Sequence, residues 1–122
     1  MKKILVIEDE ETCWKIINFF LTNTGQYEVK IESDGKRALA AVREFKPDLI
    51  LLDIVMPDTD GIEISNQLKT DNNFQEIPVV LMTAIVTQEE VDLRGGILYG
   101  RPCIAKPIVN DNLLACIENN LS

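Results

Sequence analysis

The chain has 122 residues and a mass of 13.8 kDa, with 46% apolar and 26% charged residues, the size and balance of one globular domain spanning 1–122. Its 20 acidic and 12 basic residues give a net charge of −8, which argues against nucleic acid or anionic membrane as a direct partner. Histidine is absent, which excludes Ser-His and Cys-His nucleophile pairs, histidine-ligated zinc and a histidine phosphoryl carrier.

Cys13, Cys103 and Cys116 are odd in number and widely spaced, with no CxxC, as expected in a reducing compartment. Met1-Lys2-Lys3 could open a signal peptide, but Ile4-Leu5-Val6-Ile7 runs at once into Glu8-Asp9-Glu10-Glu11. No apolar run approaches the ~18 residues of a membrane span. A cytoplasmic location is the expectation.

In chain order, short continuous apolar runs alternate with segments of helical period. Ile4-Leu5-Val6-Ile7 reads as a strand buried on both faces, the signature of a parallel sheet. A helix over about 10–23 presents Cys13, Ile16, Ile17, Phe20 and Leu21, with Asp9 a candidate cap and Gly25 a stop. Tyr27-Val29-Ile31 alternates like an edge strand. Ser33-Asp34-Gly35 then opens a helix over about 34–45, bearing Ala38, Leu39, Val42 and Phe45. Leu49-Ile50-Leu51-Leu52 and Pro78-Val79-Val80-Leu81-Met82 are further buried strands, separated by a helix over about 61–71. A weak helix over about 87–96 is interrupted by Gly95-Gly96. Cys103-Ile104-Ala105 is a last strand, and Pro102 before it suits an edge. The final helix, about 110–121, has Asn110 or Asp111 as its expected cap.

Five strands alternating with five helices imply a doubly wound parallel α/β sheet with right-handed crossovers. Ligands of such sheets bind beyond the carboxyl ends of the strands. The residues there are Glu8-Asp9, Asp53, Thr83 and Lys106. Taken singly, an acid after a strand usually caps a helix, and a lone lysine lies on the surface. Together on one edge they make three carboxylates, a hydroxyl and an ammonium. Three close carboxylates require protons or a cation. All-oxygen ligands favour Mg²⁺. Metal, lysine and hydroxyl would suit a phosphoryl dianion, and an aspartate can itself be the nucleophile that forms an acyl phosphate.

With these residues in place, the chain resembles a response regulator receiver domain of the chemotaxis-regulator type along essentially its whole length. The resemblance rests on Glu8-Asp9, on Asp53-Ile54-Val55-Met56-Pro57 with Gly61, on Thr83-Ala84 and on Lys106-Pro107. It implies a flavodoxin-like (βα)5 fold with a five-stranded parallel sheet in the order 2-1-3-4-5. It implies that Asp53 accepts a phosphoryl group from a sensor histidine kinase or phosphotransfer protein. Asp9, Asp53 and the Val55 carbonyl would bind Mg²⁺ directly and Glu8 through water. Lys106 would pair with Asp53 and then with a phosphoryl oxygen, Thr83 would bond the phosphoryl group, and the Lys106-Pro107 bond would be cis. The domain would act as a switch rather than an enzyme with a turnover substrate. Its output would be a partner protein or a domain outside these residues, with a homodimer through the fourth helix, fifth strand and fifth helix as one possible assembly.

Three departures from the family stand out. Glu8 occupies a place where aspartate is commoner. Cys103 stands where an aromatic residue usually lies three positions before the lysine, so coupling from Asp53 to the output face is expected to be altered. Val55 and Ile85 are apolar where relatives often carry polar side chains, so a shielded, long-lived phosphoryl state is expected. Other readings fit less well. A flavin carrier needs a Ser/Thr/Gly-rich first loop. A haloacid dehalogenase-type phosphatase needs Asp-x-Asp after the first strand, whereas Asp58-Thr59-Asp60 reads as a turn. A nucleotide hydrolase needs a GxxxxGK[ST] loop, and a pseudo-receiver would not need Asp53, Asp9, Thr83 and Lys106 together.

Overall fold

A computed structural model describes residues 1–121. The long strands are β1 (Lys2–Ile7), β2 (Tyr27–Glu32), β3 (Leu49–Asp53), β6 (Val79–Thr83) and β8 (Arg101–Ala105), with the short strands β4 (Val55–Met56), β5 (Thr59–Asp60) and β7 (Ile97–Leu98) between them. The helices are α1 (Glu11–Thr22), α2 (Ala38–Phe45), α3 (Gly61–Thr70), α4 (Gln88–Leu93) and α5 (Asn110–Asn120). Among the described residues, no helix is long and apolar enough to cross a membrane.

The main sheet has the order β2-β1-β3-β6-β8-β7. Its five long strands are parallel and lie in the expected 2-1-3-4-5 arrangement when only they are counted. Alternate residues feed two cores. Leu5, Ile7, Ile50, Leu52, Val79 and Leu81 pack towards α2, α3 and α4. Ile4, Val6, Leu49, Leu51, Val80 and Met82 pack towards α1 and α5. The continuous apolar runs are thus buried on both faces, as a sheet covered by helices on each side demands. The edge strand β2 alternates between exposed and half-buried residues.

The sheet differs from the five-stranded expectation by one strand. β7 pairs antiparallel with the start of β8, so Pro102 does not stand on an uncovered edge. Gly95 and Gly96, at φ 70° and 78°, end α4 early, and Tyr99 and Gly100, at φ 53° and 74°, close the β7–β8 turn. Positive φ at both central residues is the requirement of the tightest hairpins, and tyrosine there gives no sequence signal.

Several end positions also shift. A short 3₁₀ turn, Gly35–Arg37, precedes α2, and Asp34 caps it by accepting from the Lys36 N–H at 2.9 Å. Asp9 does not cap α1. The cap position is Glu10, without a side-chain bond. Neither Asn110 nor Asp111 caps α5, because the Leu113 N–H reaches back to the Val109 carbonyl at 2.9 Å and draws both residues into the helix. Asp58-Thr59-Asp60 is a turn only in part: Asp58, at φ 58°, turns the chain with Pro57, whereas Thr59 and Asp60 form β5, paired with β4, and Asp60 caps α3 by accepting from the Ile62 N–H at 2.9 Å.

Gly61 opens α3 directly beneath the end of β3. A Cβ there would lie 2.2 Å from the Asp53 carbonyl oxygen and 2.8 Å from the Ile54 Cα. Both atoms belong to backbone held by sheet bonds, so neither can retreat cheaply. Gly61→Ala is expected to lower stability by about 3 kcal/mol, the upper end for overpacking, as measured by urea unfolding. A change below a few tenths would show that this loop yields.

Candidate functional site

Register fixes the site. Ile7 stands opposite Leu52, Asp53 opposite Met82, and Thr83 opposite Ala105. The residues that end or follow these strands therefore emerge along one edge. Three backbone bonds pin them: Glu8 N–H to the Glu32 carbonyl at 3.1 Å, Ile54 N–H to the Met82 carbonyl at 3.0 Å, and Lys106 N–H to the Thr83 carbonyl at 2.7 Å.

The structure brings Glu8, Asp9 and Asp53 together, with one carboxylate oxygen from each lying within 4.8 Å of the others. Lys106 Nζ lies 2.5 Å from Glu8 Oε1 and 3.2 Å from Asp53 Oδ2. The expected pairing with Asp53 is present, but the ammonium sits closer to Glu8. Glu8 is fully buried and Asp53 nearly so, whereas Asp9 is exposed. Glu8 Oε2 accepts from the Glu10 N–H at 3.3 Å, while Oε1 has the ammonium beside it but no well-aligned hydrogen bond.

Val55 donates its N–H to Asp53 Oδ1 at 3.3 Å. Thr83 is fully buried, and its Oγ1 accepts from the Ile85 N–H at 3.0 Å, which leaves its own proton free to donate. Val55 and Ile85 are 62% and 65% exposed, so neither side chain is consumed by packing on the neighbouring helices. The Lys106-Pro107 bond is cis.

Burial is the main force on these groups, and the neighbouring charges distribute its effect. Burial, then Glu8, pushes the Asp53 carboxyl up to about 7. Burial also acts upward on Glu8, but the close Asp53 carboxyl and Lys106 ammonium prevail and hold it below the ordinary range. Burial opposes the charge on Lys106, yet the two carboxylates push it up to about 12. Near neutral pH the Asp53 carboxyl is thus about half protonated beside an ionised Glu8. With all three acids ionised, three negative charges face one ammonium, a deficit that a divalent cation would close. The donors are all oxygens, one of them poorly bonded, so the residues fit a hard cation.

One contributor was not singled out for the site by sequence. Cys13, on the inner face of α1, contacts Glu8, and burial followed by Glu8 pushes its thiol up to about 12. Its only sequence signal was membership of the apolar stripe of α1. Gly61 permits α3 to start against the Asp53 carbonyl. Cys103, at the expected aromatic position, is a packed strand residue whose thiol burial pushes up to about 11.

The response regulator receiver domain family matches residues 4–118. The polar-differentiation response regulator DivK of Brucella anthropi is 34% identical over 98% of this chain and 96% of its own. The alkaline phosphatase synthesis transcriptional regulatory protein PhoP of Bacillus subtilis is 39% identical over 81% of this chain, which spans only 39% of that longer protein. The chemotaxis protein CheY4 of Vibrio cholerae has the same fold, with a TM-score of 0.82 and 24% identity over 99% of both chains. The chain belongs to the response regulator receiver domain family of two-component systems, whose standard role is to accept a phosphoryl group.

Proposed function

We propose that the whole chain is one receiver domain that takes a phosphoryl group onto Asp53, from the phosphohistidine of a sensor kinase or phosphotransfer protein. The observation that carries this reading is the buried Asp53 carboxylate set between Glu8, Asp9 and the Lys106 ammonium at a parallel-sheet edge. An Asp53 oxygen attacks phosphorus and the P–N bond breaks. Its electron pair leaves with the histidine, which takes up a proton, and an acyl phosphate forms.

Asp9, Asp53 and the Val55 carbonyl would hold Mg²⁺ directly and Glu8 through water, and the bound ion would supply positive charge to compensate the phosphoryl oxygens. Lys106 is positioned to exchange its Asp53 contact for a phosphoryl oxygen. The free proton of Thr83 can donate to another. The phosphorylated chain would then bias a conformational equilibrium read by a downstream protein or an attached output domain. It participates in its own phosphorylation, and hydrolysis of its acyl phosphate would return it to rest. The half-exposed Ile16 and exposed Phe19 on α1, beside a cleft formed by Cys13, Ile16, Pro107 and Ile108, offer the kinase an apolar surface near Asp53.

Intact-mass measurement with acetyl phosphate tests the acceptor. The expected gain is one phosphoryl group, lost without Mg²⁺ and lost in Asp53→Asn. A gain that survives Asp53→Asn would assign the chemistry elsewhere.

The raised Asp53 carboxyl predicts a pH signature. The folded state holds this proton more tightly than the unfolded state does. Its stabilising contribution is therefore complete below the ordinary carboxylate range, near 4, and is lost as pH rises through about 7. Between about pH 4 and about pH 7 the metal-free protein should lose thermal stability relative to Asp53→Asn. Mg²⁺ should restore the wild-type protein at the upper end and have less effect on the variant. Parallel curves for the two proteins would contradict the raised Asp53 carboxyl.

The exposed apolar pair Val55 and Ile85 predicts slow hydrolysis of the phosphorylated state. Val55→Asn with Ile85→Glu should speed loss of the phosphoryl group by roughly tenfold, about 1.4 kcal/mol in barrier, followed by intact mass against time. Unchanged decay would remove shielding as the explanation.

A further inference from the structure

At the edge opposite the acidic site, the surface carries a self-complementary pair of features. Parallel strands joined by helices send each helix back towards the strand starts, so α2 and α4 both end on that edge. Both also lie on the same face of the sheet, since Val42 of α2 and Val91 of α4 belong to one core.

The first feature is a cavity of about 430 Å³ between the end of α2 and the segment leading into β6. Its apolar side is formed by Val42, Phe74 and Ile77, and Arg43 and Lys46 stand at its polar side. Both cations are exposed, and among the described residues neither has an ion-pair partner. A concave apolar floor flanked by two free cations is unusual in a chain of net charge −8.

The second is the tip of α4. Leu93, its last residue, is 82% exposed. Glu89 lies one turn earlier on the same helix face, also exposed and without an ion-pair partner among the described residues. An isolated exposed leucine would need no explanation. Here its apolar side chain suits the apolar floor of the cavity, and the adjoining carboxylate complements the two cations in sign.

We infer that the chain pairs with a second copy of itself through this edge. Leu93 of each protomer enters the cavity of the other, and Glu89 of each meets Arg43 and Lys46. Because knob and hole lie on the same edge, one twofold axis can satisfy both contacts, giving an isologous, closed pair. The contact is small, so the pairing is weak and concentration-dependent. It leaves both acidic sites uncovered, and it is independent of the proposed phosphoryl chemistry.

Sedimentation velocity of the unphosphorylated full chain, without Mg²⁺, tests this from micromolar to millimolar concentration. A reversible shift from one chain to two is expected, weakened by salt. Leu93→Ser, Lys46→Glu and Glu89→Lys should each weaken pairing by at least roughly tenfold. All three substitutions lie on the surface, and circular dichroism checks that each variant is folded. The double variant Lys46→Glu with Glu89→Lys should recover part of the pairing, limited by the unchanged Arg43, and a mixture of the two single variants should recover more of it. A monomer at every concentration overturns the inference. So does a dimer that ignores all three substitutions, or growth beyond two chains that depends on Leu93.

Discussion

Charge repulsion at the carboxyl ends of parallel strands is the constraint from which the rest of the site follows. β1 and β3 deliver Glu8, Asp9 and Asp53 to within 4.8 Å of one another, with one ammonium in reach. In water such a cluster would spread. Here the backbone is clamped by sheet bonds, and two of the acids are buried, so repulsion acts through a weakened dielectric. The available relief is a proton held between Glu8 and Asp53, the Lys106 ammonium, or an added cation. The Asp53 carboxylate therefore lies in a pocket where any added negative charge must be compensated by the ammonium or by a cation.

Glu8 gives this repulsion a particular form. Its side chain takes the closer contact with Lys106 and leaves Asp53 the longer one. The Asp53 carboxylate is therefore the less closely held of the two by the lysine. Glu8 itself is fixed, being fully buried, held at one oxygen by the Glu10 N–H and backed by Cys13. The lysine is thus oriented by a buried carboxylate with a backbone partner of its own.

The fold was largely legible because burial on both faces leaves continuous apolar runs, and the site because each run ends in a residue with distinctive chemistry. Ile4-Leu5-Val6-Ile7 before Glu8-Asp9 shows both in six letters. What escaped was set by backbone torsion or by third dimension alone. β7 depends on positive φ at Tyr99, which no local propensity announces. The start of α5 depends on a single backbone bond to Val109, not on the better capping residues that follow it. The closeness of Lys106 to Glu8 depends on side-chain length across two strands that are not neighbours in the sheet. Spacing along the chain carries none of these quantities.

The same connections determine how a change at the acidic edge can travel. The Lys106 N–H bonds to the Thr83 carbonyl at 2.7 Å, and the Ala105 N–H bonds to the Gln88 side chain at 3.0 Å. Thr83, the start of α4 and the end of β8 therefore form one hydrogen-bonded unit. The Thr87 hydroxyl, which accepts from the Glu90 N–H, caps α4 within it. A displacement of the loop between Thr83 and Gln88 must break one of these bonds or carry α4 and β8 along with it. With Cys103 buried as a small, fixed strand residue, no ring is available at that position to swing between alternative packings. The Gln88 amide ties that strand end instead to α4, a helix of only six residues followed, after Arg94, by two glycines with positive φ. Of the six residues of this helix only Val91 is buried in the core, so little packing opposes a shift of the helix as a unit.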